Sequence, residues 1–580
     1  MDTTVILDDA SPRTGRIRRF GRPQAVIQAT QPAEVPGAFA ALEAALAGGR
    51  HVAGWFSYEL GYALEPRLGR LQWPRRNEPL LWFGVFDAPE IVERSALDAT
   101  RAYAGPLHHE WDEDAYRARF DQVHEYIAAG DIYQANLSFR SRFAFAGDPL
   151  ALYLRLRDQA LAPYGAYIDM GSAQILSLSP ELFFAIDAQG HIVARPMKGT
   201  APRGADELSD ARAKAALASS AKDRAENLMI VDLLRNDLGR LALIGSVGVR
   251  DLFAVETYPT LHTMVSTVTA QLRPALRVEA IVRALFPCGS VTGAPKIRAM
   301  EIIREMEESP RGVYCGAIGY FAPDGSANFN VGIRTIALEG NKGVLGIGGA
   351  IVQDSTADSE YAECLLKARY FERAREPIGL IETLRWDDDF VRLDRHLARM
   401  ERSAAFLSLP FNDASARDAL AQAVTGVTEP QRFRLTLDEQ GAFACTSAAL
   451  GAAPAQWTYT VSSQRVRSAD QLLRHKTTWR ALYDQPHPGA DEVIFCNERG
   501  ELTEGGRTSL FIRRGGRLLT PALSCGLLDG VLRRAMLDAG ECIEAVLTPA
   551  DLETSDEVLL GNSLRGLIRA VPALSARASA

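Results

Sequence analysis

The sequence predicts a mixed α+β protein built from two large domains. Its 580 residues exceed a typical single domain of roughly 150 residues. Helical periodicity recurs at residues 112–130, 221–238 and 359–374, and strand-like runs bounded by Gly, Pro or Asp lie between them. A Glu-Pro pair ends the third helix, and a new pattern of strand, acidic turn and helix follows. We therefore expect domains at residues 1–375 and 378–580.

The individual elements follow from local signals. In the first helix, apolar residues recur every three or four positions from Tyr116 to Ile127, and Gly130 is a good stop. Short apolar runs at 51–60 and 80–86 alternate with turns, which is typical of a β-rich layer. The remaining strand-like runs are residues 174–178, 312–321 and 343–352.

Composition and charge exclude several classes of protein. Hydrophobic residues make up 47% and charged residues 23%, as in ordinary globular proteins, which excludes a disordered or fibrous chain. The net charge of −8 gives no global attraction to nucleic acid or anionic lipid. We expect no membrane span and no secretory signal, since neither pattern is present. Seven cysteines without a C-x-x-C pair indicate neither a zinc site nor a disulfide framework, so we expect a cytoplasmic protein.

Two helices carry pairs of acidic residues on one face. Asp223 and Glu226 are three residues apart, as are Glu360 and Glu363, and Lys367 follows four residues later. Two such faces meeting across a cleft would suit Mg²⁺ and a carboxylated substrate. The alternative is a pair of solvated surface helices, which the spacing alone favours because surface acids are common.

A lysine and two glycine-rich segments are further candidates. Lys198 lies between prolines and precedes Gly-Thr, so it is held in a rigid loop and would be a nucleophile if partly desolvated. Its alternative is a solvated lysine in a turn. Residues 289–296 and 346–349 are rich in glycine, which lets backbone N–H groups approach an anion. They lack the spacing of a nucleotide-binding P-loop, and glycine-rich turns are more often only turns.

Taken together, these segments resemble the chorismate-binding enzymes. The family includes anthranilate synthase component I, aminodeoxychorismate synthase component I, and isochorismate and salicylate synthases. The resemblance covers nearly all of residues 50–375 and implies a large two-layer α/β sandwich for the first domain. Its motifs are residues 222–239, 289–296, 299–303, 316–320 and 332–335.

Two positions separate the branches of this family. Members that add water to chorismate carry a lysine base where this sequence has Gln134, so the resemblance implies an ammonia-using enzyme. Anthranilate synthases usually carry alanine at the position of Lys198, and the lysine is similar to aminodeoxychorismate synthase. The resemblance therefore implies amination of chorismate to 4-amino-4-deoxychorismate.

The resemblance also implies roles for individual residues. Lys198 attacks C2 of chorismate, Glu181 protonates the departing C4 hydroxyl and needs a raised pKa, and His262 has a supporting catalytic role. The expected Mg²⁺ ligands are Glu226 and Glu363, with Asp223 and Glu360 acting through water. The expected substrate contacts are Gln134, Thr200, Thr292, Tyr320, Arg334, Gly348, Gly349 and Lys367.

The first domain departs from the family in one residue, and the chain carries no glutaminase module. Ala350 stands where relatives generally have glycine, so the backbone there has either an ordinary φ or mild strain. The sequence contains no cysteine in a G-x-C-x-G elbow with a downstream histidine of a glutamine amidotransferase. Ammonia is therefore expected from solution or from a separate glutamine amidotransferase subunit.

The second domain carries an ordered set of motifs that fits a pyridoxal 5′-phosphate site. A lysine is followed by a strand, then by Thr-Glu among small residues, and then by a glycine-led helix start. The cofactor needs an amine, a carboxylate for its ring nitrogen and N–H donors for its phosphate. Each motif alone is weak. The motifs are residues 473–478, 491–495, 500–511, 520–521 and 526–533.

This set resembles the fold-type IV pyridoxal phosphate enzymes, such as aminodeoxychorismate lyase and the branched-chain and D-amino acid aminotransferases. The resemblance implies an aminotransferase-like α/β domain over most of residues 378–570. It assigns Lys476 as the lysine that binds the cofactor and as the catalytic base, and Glu504 as the partner of the ring nitrogen. The other expected cofactor contacts are Arg399, Ser509, Val531, Leu532 and Asn562.

One departure from this second family concerns the start of the domain. Free-standing relatives begin with a hairpin before the segment that matches residues 379–385, and here it is absent. Either the first domain supplies the missing wall, or this lobe is partly compromised. A homodimer through the C-terminal domain is expected from the resemblance alone.

The pairing of the two domains implies two consecutive steps that end in 4-aminobenzoate, the folate precursor. Chorismate would be aminated, and the product would lose pyruvate in the second domain. One alternative is an anthranilate synthase component I-like enzyme with a transaminase lobe, against which Lys198 argues. Another is a synthase with a degenerate docking lobe, against which intact Lys476, Glu504 and Arg399 argue.

Overall fold

The computed structural model describes residues 3–10, 16–97, 99–258, 261–452, 454–485 and 489–573. The chain divides into two compact units. Unit 1 comprises Met1–Arg101, Pro106–Phe143 and Pro149–Arg375, and unit 2 comprises Ala102–Gly105, Ala144–Asp148 and Glu376–Ala580. Unit 2 therefore includes two short segments that the sequence-based boundary assigns to the first domain.

The described residues form helices and strands throughout both units. The helices are α1 (Val35–Ala47), α2 (Leu60–Leu64), α3 (Glu113–Ala128), α4 (Pro149–Ala160), α5 (Glu207–Ser219), α6 (Ala221–Gly239), α7 (Val278–Leu285), α8 (Lys296–Met306), α9 (Ala357–Ala374), α10 (Leu393–Leu407), α11 (Asp413–Ala423), α12 (Val531–Asp538) and α13 (Pro549–Thr554). The strands up to residue 351 are β1 (Thr4–Asp8), β2 (Ile17–Gly21), β3 (Ala25–Ala29), β4 (His51–Phe56), β5 (Leu81–Phe86), β6 (Glu90–Val92), β7 (Ala102–Ala104), β8 (His108–His109), β9 (Gln134–Gly147), β10 (Tyr164–Asp169), β11 (Ala173–Ser179), β12 (Leu182–Ile186), β13 (His191–Arg195), β14 (Met197–Pro202), β15 (Gly248–Thr257), β16 (Leu261–Gln271), β17 (Gly293–Ala294), β18 (Ala317–Phe321), β19 (Ala327–Val331), β20 (Thr335–Glu339) and β21 (Lys342–Ile351). The later strands are β22 (Leu380–Asp387), β23 (Asp389–Phe390), β24 (Gln431–Leu437), β25 (Phe443–Ala449), β26 (Trp457–Val466), β27 (Glu492–Asn497), β28 (Leu502–Gly505), β29 (Ser509–Arg514), β30 (Arg517–Pro521), β31 (Ile543–Ala545), β32 (Glu557–Asn562) and β33 (Gly566–Pro572).

Two large sheets form the framework of unit 1. One has the order β17-β9-β21-β20-β11-β10-β1-β2-β6, and β8 also pairs with β9. The other has the order β14-β16-β13-β12-β19-β18-β4-β5-β3, and β15 also pairs with β16. Apolar side chains from both sheets, such as Val5 and Phe20 from one and Trp55 and Ile318 from the other, meet in a shared core.

Helices cover the outer face of each sheet in unit 1. Helices α1, α6 and α7 join a large apolar cluster on the sheet that contains β4, while α3, α4 and α9 contact the sheet that contains β21. Helix α6 buries Ile230, Leu234 and Leu238, and Asp223 and Glu226 lie on the same side of the helix, nearer its amino-terminal end. The predicted α/β sandwich is therefore present, with two sheet layers between two helical layers.

Unit 2 combines a small sheet with a larger one. The small sheet has the order β23-β22-β24-β25 and packs with α10 and α11 around one apolar cluster. The larger sheet has the order β28-β27-β26-β33-β32-β29-β30-β31 and has its own core. The predicted mixed α and β architecture is confirmed. Among the residues described, no helix is long and apolar enough to span a membrane.

Most predicted elements are confirmed, with two corrections. The helices predicted from the 3.6-residue period are α3, α6 and α9, and Asp112 caps α3 by accepting a 2.9 Å hydrogen bond from the backbone N–H of Ala115. The strand predicted at 312–321 begins only at Ala317, because residues 312–316 form a turn with Gly312 and Cys315 at positive φ. The glycine-rich segment 346–349 lies inside strand β21 rather than in a turn.

Candidate active sites

Unit 1 contains a cavity of about 280 Å³ that gathers most of the predicted first-site residues. Its walls come from β14, α6, α9, β21 and the loops before β12 and β20. Ten predicted residues line it, from positions up to 186 residues apart along the chain. They are Glu181, Lys198, Thr200, Asp223, Glu226, Arg334, Gly348, Glu360, Glu363 and Lys367.

Lys198 lies in β14 and forms an ion pair inside this cavity. Its Nζ is 3.0 Å from Glu226 Oε2, and Lys222 Nζ is 3.9 Å from the other oxygen of the same carboxylate. The next residue, Gly199, has φ of 89°, and a Cβ there would lie 2.8 Å from Asp223 Oδ1. Glycine at this position therefore permits the turn of the backbone and the close approach of α6.

Glu181 follows β11 and is 3% exposed. Ser290 Oγ donates a 2.7 Å hydrogen bond to Glu181 Oε1. Burial raises the pKa of Glu181 to about 7, against the opposing effect of the Ser290 hydrogen bond. The direction agrees with the raised pKa predicted for a general acid. Ser290 was not singled out from the sequence, although it lies within the 289–296 motif.

The acidic residues of α9 lie on the opposite wall and are also paired. Glu363 Oε1 is 2.9 Å from Lys367 Nζ, which also donates a 2.9 Å hydrogen bond to Gly348 O. Burial would raise the pKa of Glu363, but Lys367 outweighs burial and lowers it. Glu360 accepts a 2.7 Å hydrogen bond from Ser355 Oγ, and burial raises its pKa.

The four predicted metal ligands thus surround one cavity without forming a preassembled cluster. No group of three or more His, Cys, Asp or Glu in the described part of the chain is arranged to hold a metal ion. The oxygen donors suit Mg²⁺ in kind. In this structure, however, Lys198 and Lys367 neutralise Glu226 and Glu363.

Five predicted residues do not line this cavity, and one of them is Gly349 of β21. His262 is 1% exposed, and its Nε2 and Nδ1 lie 3.0 Å from Asp210 Oδ1 and Thr257 Oγ1. The other three are Gln134, buried in β9 with no hydrogen-bond partner for its side chain among the described residues, Thr292, whose Oγ1 donates to Cys288 O, and Tyr320, which packs near Phe20.

The glycines of β21 serve close packing rather than a turn. A Cβ at Gly346 would overlap the ring of Tyr314, and one at Gly348 would meet Ser138. Gly349 lies just outside the lining, with a hypothetical Cβ 3.3 Å from Glu360. Ala350 lines the cavity within the extended strand, so of the two expected conformations it has the ordinary φ.

Unit 2 contains a second cavity, of about 330 Å³. It gathers every cofactor contact predicted for the second domain. These residues are Arg399, Lys476, Glu504, Ser509, Val531, Leu532 and Asn562.

Lys476 is held at the wall by the small sheet. Its backbone carbonyl accepts a 2.8 Å hydrogen bond from Ile381 N, and its Nζ donates a 3.1 Å hydrogen bond to Thr383 Oγ1. Burial lowers the pKa of Lys476 to about 8, although Glu382 nearby opposes the shift. A lysine with a lowered pKa has a larger fraction of neutral, nucleophilic amine at neutral pH.

Glu504 faces the same cavity from β28. It is 7% exposed, and Tyr483 OH donates a 3.0 Å hydrogen bond to its Oε1. Burial raises its pKa to about 7. A positively charged ring nitrogen beside it would favour the ionised carboxylate.

Arg399 on α10 is fixed by an acid that the sequence analysis did not identify. Its Nε and Nη2 donate hydrogen bonds of 2.8 and 2.7 Å to the two carboxylate oxygens of Glu382. His396 Nδ1 lies 2.6 Å from the same carboxylate, and Arg399 Nη1 donates to Asp529 O at 3.3 Å. Burial would raise the pKa of Glu382, but Arg399 and His396 hold it far below its usual range.

The residues at the end of the cavity near α12 suit a phosphate group. Gly530 precedes the helix, and a Cβ there would overlap Ser509 Oγ, so glycine keeps the helix start close to the cavity. Val531 and Leu532 supply its first backbone N–H groups.

Ser563 Oγ, also in the lining, is buried with no hydrogen-bond partner among the described residues. Asn562 instead accepts hydrogen bonds from the backbone N–H groups of Leu564 and Arg565. An amine, a buried acid and this cradle fit pyridoxal phosphate.

Two arginines on β24 line the same cavity and were not identified from the sequence. Arg432 and Arg434 are two residues apart, so they share a face of the strand, and Arg434 lies directly across from Thr383. Neither guanidinium forms a hydrogen bond or ion pair with any residue that the structure describes. These arginines can be recognised as cavity residues only when the register of the sheet is known.

Comparison with known proteins matches both units to families. Residues 5–373 match the model of the chorismate binding enzymes, and residues 379–571 match that of the class IV amino-transferases. The chain is 47% identical over 250 residues to aminodeoxychorismate synthase component 1 of Escherichia coli, which covers 43% of this chain and 55% of that protein.

Two further relatives show the same relationship. The aminodeoxychorismate synthase of Streptomyces griseus is 47% identical over 264 residues, which is 46% of this chain and 36% of that protein. The crystal structure of anthranilate synthase component I from Streptococcus pneumoniae aligns with a TM-score of 0.50 at 25% identity, covering 63% of this chain and 89% of that one. The chain thus spans only about half of the Escherichia coli synthase component and about a third of the Streptomyces griseus synthase.

Proposed function

The chain belongs to the family of chorismate binding enzymes, and we propose that it makes 4-aminobenzoate in two steps. Unit 1 would aminate chorismate to 4-amino-4-deoxychorismate. Unit 2 would remove pyruvate from that product. The observation that carries the proposal is that a lysine amine and a buried acid line one cavity, while a second cavity holds a buried lysine with a lowered pKa and two arginines that have no partner among the described residues.

In the first step, Lys198 acts as the nucleophile and Glu181 as the acid. Lys198 gives its proton to solvent and its neutral amine bonds to C2 of chorismate, while Glu181 protonates the C4 hydroxyl, which leaves as water. Ammonia then bonds to C4 and the C2–nitrogen bond breaks, releasing Lys198. Arg334 and Lys367 line the cavity as the cations expected to bind the substrate carboxylates. His262 would support β14 through its contact with Asp210.

The proposal includes a Mg²⁺ ion bound by the four acidic residues of the first cavity. Glu226 and Glu363, with Asp223 and Glu360, would hold Mg²⁺ once the lysines move away from Glu226 and Glu363. Bound there, the ion would neutralise the ring carboxylate of chorismate. Support comes from the oxygen donors around a single cavity.

In the second step, the residues of unit 2 position the substrate and move one proton. Lys476, Glu504, Arg399 and the start of α12 would hold pyridoxal phosphate, which when bound makes the C4 proton of the substrate acidic. Lys476 Nζ takes that proton, with Thr383 orienting it. The C3–oxygen bond then breaks, enolpyruvate leaves as pyruvate, and the ring becomes aromatic.

Arg432 and Arg434 favour the lyase reaction over a general transamination. The proposed intermediate carries two carboxylates, whereas most amino-acid substrates of a transaminase carry one. Arg432 and Arg434 supply two guanidinium groups on the cavity face of β24, next to Thr383, and neither has a partner within the described ranges. A dicarboxylate therefore fits this cavity better than a monocarboxylate.

We also propose a separate glutaminase subunit, because the relative in Escherichia coli is named component 1 of its synthase. A homodimer through unit 2 stays a prediction from the resemblance to fold-type IV enzymes. All seven cysteines are unpaired, which supports a reducing compartment such as the cytoplasm.

The direct test is to identify the product of the purified full-length protein. We expect chorismate, Mg²⁺, ammonium and pyridoxal phosphate to yield 4-aminobenzoate and pyruvate in equal amounts, measured by liquid chromatography and mass spectrometry. Lys198→Ala is the matched control and should form neither product. Anthranilate as the product would contradict the proposal for unit 1. Accumulation of 4-amino-4-deoxychorismate by the wild type would contradict the proposal for unit 2.

A further inference from the structure

Two short segments from the first half of the sequence form a strand pair within unit 2. We call Ala102–Gly105 and Ala144–Asp148 the inserted strand pair. Ala102, Tyr103 and Ala104 pair antiparallel with Gly147, Ala146 and Phe145. The class IV amino-transferase match begins only at residue 379 and includes neither segment. Unit 2 is therefore encoded by three separate stretches of the chain.

The inserted strand pair is part of the core of this unit. Tyr103 and Ala146 are fully buried, and together with Ala144 they join the apolar cluster built from the small sheet, α10 and α11. At the end of the pair, Asp148 Oδ2 accepts a 3.0 Å hydrogen bond from Arg467. Loss of such a buried aromatic side chain removes both apolar contact and close packing.

Tyr103 contacts the two elements that hold the cofactor residues. Its OH donates a 3.3 Å hydrogen bond to Leu407 O, a carbonyl in the last turn of α10, where helix carbonyls lack an intrahelical partner. The same helix carries Arg399. The ring of Tyr103 packs edge-on against Trp479, with centroids 6.3 Å apart, and Trp479 is three residues after Lys476.

We propose that Tyr103 is a positioning residue for the second active site, supplied by the amino-terminal half of the sequence. It fixes the end of α10 and the segment after Lys476, so that Arg399 and Lys476 face one cavity. This inference rests on the proposed function for its cofactor readout, but its structural readout does not depend on that function. It also explains how a lobe that starts without its own amino-terminal hairpin is completed.

The experiment compares Tyr103→Ala with Tyr153→Ala in the full-length protein. Tyr153 is an equally buried tyrosine of unit 1, and its OH donates a 3.0 Å hydrogen bond to Asp8. Hydrogen exchange, followed by mass spectrometry, is measured in α10, in residues 476–480 and in α4. We expect Tyr103→Ala to accelerate exchange about a hundredfold in α10 and residues 476–480, the order of effect for a lost buried aromatic ring. Tyr153→Ala should instead accelerate exchange in α4.

A conservative variant and the cofactor spectrum complete the test. Tyr103→Phe keeps the ring and should restore most of the protection, with a residual loss confined to the end of α10. Pyridoxal phosphate affinity, followed by the absorbance of the lysine-bound cofactor, should fall about tenfold in Tyr103→Ala and remain unchanged in Tyr153→Ala. If Tyr103→Ala does not fold, Tyr103→Phe and Tyr103→Leu provide the same comparison.

The outcomes separate this inference from the proposed function. Equal exchange in wild type and Tyr103→Ala, or acceleration in α4 rather than α10, would overturn the positioning role. Unchanged cofactor affinity together with accelerated exchange would also overturn it, because Tyr103 would then be only structural. If the wild type binds no pyridoxal phosphate, the proposed reaction of unit 2 fails, while the exchange comparison still decides whether the strand pair supports α10.

Discussion

The two cavities differ in how their charged groups are satisfied. In unit 1, Lys198 is paired with Glu226 and Lys367 with Glu363. In unit 2, Arg399 is also paired, with Glu382, but Lys476 Nζ donates to the neutral hydroxyl of Thr383, and Arg434 has no acidic partner among the described residues. The first site must therefore exchange internal ion pairs for its ligands, whereas the second already offers free positive charge to an anionic ligand.

This difference has a chemical reason. In the first site, the acids that pair with Lys198 and Lys367 are the proposed Mg²⁺ ligands, so the lysines occupy the place of the ion until it binds. A site that would bind a dicarboxylate needs cations that are not neutralised by the protein. The comparison predicts that substitutions in the second cavity weaken ligand binding alone. Substitutions in the first cavity also leave the other member of an ion pair without its opposite charge.

The largest effect is expected from Lys476→Ala. Loss of the amine removes the cofactor anchor and the proposed base together, so the second step should stop while the first continues. 4-Amino-4-deoxychorismate should accumulate, and a separately added lyase should restore 4-aminobenzoate. The measurement follows both compounds and pyruvate over time. Pyruvate release at the wild-type rate would show that Lys476 is not the catalytic lysine.

The second-largest effect is expected from substitutions of the acidic residues in the first cavity. Glu226→Gln and Glu363→Gln should each lower Mg²⁺-dependent chorismate turnover by about 100-fold or more, because an amide of similar volume is a poor Mg²⁺ ligand. The controls are Asp232→Asn on α6 and Glu372→Gln on α9, both exposed acids on the same helices. Unchanged Mg²⁺ dependence in both cavity variants would return these residues to the surface-helix interpretation.

A smaller effect is expected from the free arginines of the second cavity. Arg434→Met and Arg432→Met should each raise the KM for 4-amino-4-deoxychorismate about 10- to 100-fold, the effect of losing one charge-assisted hydrogen bond. Cofactor absorbance should stay unchanged, since Arg399 and the start of α12, rather than these arginines, are proposed to hold the phosphate. Arg417→Met on α11 is the control, because its guanidinium is already paired with Asp394 and Asp413. An unchanged KM in both variants would remove the argument for a dicarboxylate substrate.

Local periodicity predicts the helices well, and motifs predict which residues share a cavity. Helices α3, α6 and α9 follow from apolar spacing alone, and every cofactor contact predicted for the second domain lines one cavity. Sequence patterns fail where a residue depends on distant neighbours. The glycines of β21 resemble a turn, yet they are needed because Tyr314 and Ser138 pack against the strand.

Long-range register accounts for the remaining gaps. Arg434 can be identified as a cavity residue only when the pairing of β22 with β24 places it across from Thr383. Glu382 becomes visible only when α10 brings Arg399 and His396 to it. Tyr103 lies about 370 residues before Lys476 in the sequence, so no local pattern could connect it to the second unit.

The smallest expected effects are opposite pH dependences of the two sites. Burial raises the pKa of Glu181 to about 7, so this acid is protonated below that pH, and the rate of the first step should fall as pH rises through about 7. Burial lowers the pKa of Lys476 to about 8, so its amine becomes neutral as pH rises. Capture of pyridoxal phosphate by the cofactor-free protein should therefore accelerate up to about pH 8 and then level off. Stopped-flow absorbance measures the capture, and chorismate consumption measures the first step. Glu181→Gln should remove the descending limb of the first profile and leave the second unchanged, whereas profiles that slope in the same direction would contradict the assigned protonation states.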